Sequence, residues 1–125
     1  MPIQNLANLT QFTAERYNTV GLASTNNCKV MLVCLEARQF IPVHQPDVDL
    51  CFLILEGRAR LADNQSEQEC GPGDMLFSPA GQHRGVIAIT RVTAVAFVAP
   101  PPKSQDHEQV QRLLKEGRWR NANAH

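Results

Sequence analysis

Six consecutive apolar residues, Leu50-Cys51-Phe52-Leu53-Ile54-Leu55, run straight into Glu56-Gly57. A run of this length bounded by a turn reads as a strand. Successive strand residues point to opposite faces, so Leu50, Phe52 and Ile54 share one face and Cys51, Leu53 and Leu55 the other. Both faces are apolar, whereas a half-exposed antiparallel strand alternates apolar with polar. The segment from Cys28 to Leu35 repeats the pattern, with Lys29 as the exception. One face of each strand is expected in a core and the other beneath a second layer. In a chain of 125 residues that layer is expected to be a partner subunit, making a homodimer.

The neighbouring runs are short and closely spaced. Arg58 to Ala62, Met75 to Ser78, Val86 to Ile89 and Val92 to Val98 are strand-like. Asp63-Asn64-Gln65, Gly71-Pro72-Gly73-Asp74 and Pro79-Ala80-Gly81 separate them. This punctuation predicts an all-β sandwich or barrel. Residues 1–27 are weakly patterned and are expected to dock on the barrel through Phe12, Tyr17, Val20 and Leu22, with a turn at Ser24-Thr25-Asn26-Asn27. The barrel is expected over residues 28–100. Pro100-Pro101-Pro102 closes it, and residues 101–125 form the exit, one short helix and a tail. Asp106 and Gln109 have capping-box spacing, Val110, Leu113 and Leu114 share a helical face, and Gly117 is a natural stop. Arg112, Lys115, Arg118 and Arg120 read as a solvated basic end.

Composition excludes some functions. Lys and Arg number 12 and Asp and Glu 12, so no uniform field favours nucleic acid. No apolar run approaches the ~20 residues that span a bilayer. Met1-Pro2-Ile3-Gln4-Asn5 lacks the basic stretch and apolar core of a secretory signal, so a cytoplasmic location is expected. Cys28, Cys34, Cys51 and Cys70 contain no pair at zinc-ribbon or dithiol spacing, and free thiols in a reducing compartment are expected. Ser66 and Ser78 lack nucleophile-elbow surroundings.

Two segments carry a family resemblance. The first is Pro42-Val43-His44-Gln45-Pro46, followed by Leu50 to Leu55 and Glu56-Gly57. The second is Gly73-Asp74-Met75-Leu76-Phe77-Ser78-Pro79-Ala80-Gly81-Gln82-His83. Together they resemble the cupin superfamily, over most of the chain from about Cys34 to Pro100. The resemblance implies an antiparallel double-stranded β-helix, or jelly-roll barrel, commonly dimeric, with a short C-terminal helix added here. It also implies a metal held by three His and one Glu. In this sequence His44 fills the first His position. Pro46 stands in the second and Leu50 in the Glu position, and neither can ligate. His83 falls one residue before the usual third His, where Arg84 stands.

Two readings of the lumen follow. In the first, the barrel binds a small organic ligand, with His44, His83, Leu50, Phe52 and Arg84 around it and the two His hydrogen bonding or moving protons. In the second, His44, His83 and Asp49, swung inward by a bulge, hold Fe, Mn, Ni or Zn for an oxygenase, isomerase or decarboxylase acting on a small acid or sugar. Arg84 either projects inward to hold a carboxylate or lies at the surface. Phe40, Phe52, Ile54, Phe77 and Phe97 read as core, a subset lining the pocket. His107 and His125 read as surface, and Glu56 as a solvated turn residue.

Overall fold

The computed structural model describes residues 3–120. Nine strands precede one helix. They are β1 (Asn18–Ser24), β2 (Lys29–Leu35), β3 (Phe40–His44), β4 (Asp49–Glu56), β5 (Ala59–Ala62), β6 (Glu67–Cys70), β7 (Met75–Ser78), β8 (Arg84–Ala88) and β9 (Val92–Ala99), then α1 (Ser104–Lys115). A five-stranded sheet runs β1-β2-β9-β4-β7 and a four-stranded sheet β3-β8-β5-β6. Every pairing is antiparallel. The jelly-roll expectation holds: β2 and β4 pair with β9, β4 with β7, and β3 and β5 with β8, while β1–β2 and β5–β6 join consecutive strands.

The core lies between the sheets. Val33, Leu35, Phe52, Ile54, Ala94 and Ala96 enter it from one sheet and Ala59, Leu61, Val86 and Ala88 from the other. Side chains such as Phe52 (3 % exposed) and Ile54 (fully buried) each contribute about 2 kcal/mol of apolar burial. The parity read for β4 is correct: Leu50 also packs on this core.

Two expected core residues are not there. Phe77 is 59 % and Phe97 43 % exposed. Both pair with Cys51, on the face of β4 that turns away from Phe52. Phe40 is half-buried.

Three strands lack a clear sequence signal. Residues 18–24 dock on the barrel as the edge strand β1, paired to β2. β6 is Glu-Gln-Glu-Cys, polar at three positions of four, and it forms because β5 offers an edge. β3 carries Pro42 in its centre.

Gly57 has a φ of 88°, and a Cβ there would lie 2.0 Å from the Arg91 carbonyl oxygen, so the turn after β4 admits only glycine. The helix begins at Ser104, two residues before the expected cap; the side chain of Asp106 lies outside the described residues. Its end is as predicted. Gly117 has a φ of 68°, its N–H donates to Leu114 O and that of Arg118 to Leu113 O, which is the Schellman pattern. Arg120 is not simply solvated, because its guanidinium bonds Glu67 on β6. His125 lies outside the described residues. All four cysteines are unpaired thiols. No described helix is long and apolar enough to cross a membrane.

Candidate functional site in the barrel lumen

A cavity of about 510 Å³ opens between the sheets. Its lining includes His44, Pro46, Leu50, Phe52 and Arg84 from the residues singled out above. α1 forms one wall with Val110 and Gln111. The wall is held at Gln111, whose side-chain oxygen accepts from Arg16 at 2.9 Å, and beyond the helix, where Val43 N–H donates to Trp119 O at 2.6 Å.

His44 reaches the lumen through a bulge. Ile41 pairs with Val86 and His44 with Arg84, so β3 spends one residue more than β8 over this stretch. Strict alternation would put Ile41 and His44 on opposite faces; the extra residue puts both into the lining. Gly85 makes room for it. A Cβ on Gly85 would stand 2.6 Å from the Val43 nitrogen. The His44 ring donates from Nδ1 to Pro42 O at 2.7 Å, since a carbonyl only accepts.

Arg84 is buried, 5 % exposed, which removes the surface reading. Its guanidinium donates to Val48 O at 2.8 Å and to Ser78 O and Oγ at 3.0 and 3.3 Å. It thereby ties the start of β8 to the end of β7 and to the segment before β4. Motif spacing explains its position, because Arg84 stands where the resembled motif has its third His. Two residues separate it from Gly81, and it takes the inward place at the head of β8, while His83, one residue earlier, does not.

His83 and Asp49 are not in the lining. His83 is half-buried just before Arg84. Asp49 is exposed, and its Oδ1 accepts from Ala80 N–H at 2.8 Å. With Gln45 Nε2 on Gly81 O and Gly81 N–H on Pro46 O, it staples the β7–β8 loop down. The bulge expected near Asp49 occurs earlier, at Pro42-Val43, and turns a different residue inward. Among the described residues no three His, Cys, Asp or Glu side chains gather in metal-binding geometry. The places that hold ligands in the resembled motif carry one imidazole, a proline, a leucine and a guanidinium. A dication needs several anionic or neutral donors, and a fixed cation beside one imidazole opposes it. The donor set does not fit the family's metal.

Lumen-facing residues not assigned to the pocket from sequence include Lys29 and Tyr17. Burial pushes the Tyr17 phenol above its ordinary value of 10.0, partly opposed by the Arg16 charge and hydrogen bond. Lys29 was visible as the exception in an apolar strand. A second, wider groove of about 800 Å³ runs outside the barrel past Arg38, Phe40, Arg112 and Lys115. It contains none of the residues that carry the resemblance.

No family model matches the chain, and no curated protein does. Solved structures do. A crystal structure of an RmlC-like cupin protein from Desulfovibrio desulfuricans matches at 25 % identity and TM-score 0.74, over 81 % of this chain and 98 % of that one. The TT1209 protein of Thermus thermophilus matches at 25 % identity and TM-score 0.76, over 82 % of this chain and all of that one. A cupin superfamily protein from Desulfitobacterium hafniense matches at 18 % identity and TM-score 0.72, over 81 % and 95 %, and speaks for the fold alone. With two facing antiparallel sheets, the motif glycines at their turns and these neighbours, this chain has the fold of a small cupin domain.

Proposed function

We propose that the barrel lumen binds a small organic ligand without a resident metal. The observation that carries this is the lining itself. A cavity of about 510 Å³ is within the range of small-molecule sites, which are mostly apolar with a few placed polar groups. Here Leu50, Phe52, Leu76 and Val86 supply the apolar part, and His44 and Arg84 supply polar groups. Pro46 and Leu50 remove two metal donors and widen the apolar surface. His44 acts as a hydrogen-bonding group toward the ligand. Four unpaired thiols support a reducing, cytoplasmic setting. The exposed apolar patch of Met75, Phe77 and Phe97 supports a homodimer that covers it.

The test combines metal content and thermal shift on untagged protein. The expected result is far less than one equivalent of Fe, Mn, Ni or Zn per chain, and a rise in melting temperature with a subset of small organic compounds, lost when Leu50→Trp fills the lumen. About one equivalent of metal that disappears in His44→Ala overturns the reading.

A further inference from the structure

The inward faces of the five-stranded sheet stack as rungs, and the rungs are not alike. One reads Lys29, Val98, Leu50, Ser78 across β2, β9, β4 and β7. The next reads Met31, Ala96, Phe52, Leu76, and the one after it Val33, Ala94, Ile54. The last, Leu35 and Val92, is fully buried. Charge is therefore confined to the first of these rungs. Lys29 stands at one end of it, and the Arg84 guanidinium is bonded to Ser78 at the other. His44, the ladder partner of Arg84, is beside that end. Lys29, Val98, Leu50, Met31, Ala96 and Phe52 all border the same cavity.

An inward lysine on a strand otherwise apolar on that face has a desolvation cost that a surface lysine avoids. Lys29 is half-buried and makes no hydrogen bond or ion pair with the described residues. No Asp or Glu is among the described residues of the lining. An anionic group on a ligand would supply the compensation.

We infer that the lumen takes a small carboxylic acid with an apolar body, its carboxylate received by Lys29 on the charged rung and its body laid against Met31, Ala96, Phe52 and Leu76. This rests on the lumen being the binding site, as proposed above. Arg84, anchored by its bonds to Val48 and Ser78, contributes fixed positive charge and little reach.

Acid and amide of the same shape separate charge from shape. The probes are benzoate against benzamide and cyclohexanecarboxylate against cyclohexanecarboxamide, measured by titration calorimetry at neutral pH. The wild-type protein is expected to bind each acid at least about tenfold more tightly than its amide, as befits a charge-assisted pair. Lys29→Met is expected to remove most of that ratio by weakening the acid far more than the amide. Lys29→Arg is expected to keep it. Equal binding of acid and amide overturns the inference and leaves the lumen reading standing. An acid preference that survives Lys29→Met overturns it as well. Binding of neither probe overturns the inference, while the lumen reading is decided by the thermal-shift test with neutral compounds.

Discussion

Arg84 has an ionic head inside the protein that donates hydrogen bonds to neutral oxygens of Val48 and Ser78. Removing it leaves acceptors on the buried Val48 and Ser78 without their donor. Arg84→Met keeps the apolar stem and is expected to cost about 2–3 kcal/mol, read as a lower urea midpoint with the slope unchanged. Tyr17 offers a second test, because the chain has one tyrosine. Its phenol is raised above 10.0 by burial. A group raised in the folded state contributes stability that is complete below the unfolded value and lost as pH rises through the folded one. The phenolate absorbance is therefore expected to appear later in an alkaline titration of native protein than in denaturant. Coincident curves would contradict the buried placement. At this scale the sequence was partly legible. His44 and Leu50 stand where the motif spacing puts them. Arg84 was ambiguous, because a lone arginine is more often on the surface, although the motif spacing puts it where the third His usually stands.

The bulge in β3 decides where His44 points. It depends on Pro42, which has no N–H for the ladder, on Gly85, which lets Val43 approach, and on Trp119 O, which takes the Val43 N–H. Gly85→Ala brings a Cβ within 2.6 Å of that backbone nitrogen. The expected outcome is a loss of about 2–3 kcal/mol by urea unfolding, as for other overpacked sites, together with a shifted His44 imidazole signal by NMR. An unchanged His44 signal would mean that the bulge does not hold the ring. Among the elements, β2, β4, β5, β7, β8 and β9 were legible because each contains a short strand-like run bounded by turns. β1, β3 and β6 were not. Their residues are polar, Pro-broken or weakly patterned, and they become strands because a neighbour presents unpaired backbone groups. The C-terminal end of α1 was legible at Gly117, whose φ of 68° few other residues accept.

For the whole molecule, the outward face of the five-stranded sheet is unequal. Leu32 and Cys34 are fully buried, although alternation with Val33 sends them outward. The first residues of the chain are tied to β1 beside them, through Gln4 on Leu22 O and Asn18 on Gln11 O. Toward β7 the cover stops. Met75, Phe77 and Phe97 are 60 %, 59 % and 43 % exposed, and the pairings Cys51–Phe77, Cys51–Phe97 and Leu53–Met75 make them one patch. Contiguous exposed apolar area of this kind marks an interaction surface. The wild-type protein is expected to be a dimer by light scattering at micromolar concentration, and Phe77→Lys with Phe97→Lys a folded monomer. A monomeric wild type would rule out the homodimer.

Local alternation and turn chemistry determined a great deal. Six apolar residues in a row need cover on both sides, glycines at Gly57, Gly73 and Gly81 take the positive φ their turns require, and Pro46 and Leu50 have no donor atom whatever the fold. These are properties of a residue and its near neighbours, and they suffice for an antiparallel cupin barrel with an eroded ligand set. Tertiary structure decided which face is the lumen. A period of two distinguishes two faces without naming them, and one extra residue exchanges them. Pairing between residues far apart in the chain, His44 with Arg84 and Lys29 with Val98, resolved that choice. It put His44, Arg84 and Lys29 around the cavity and left His83, Asp49, Phe77 and Phe97 outside it.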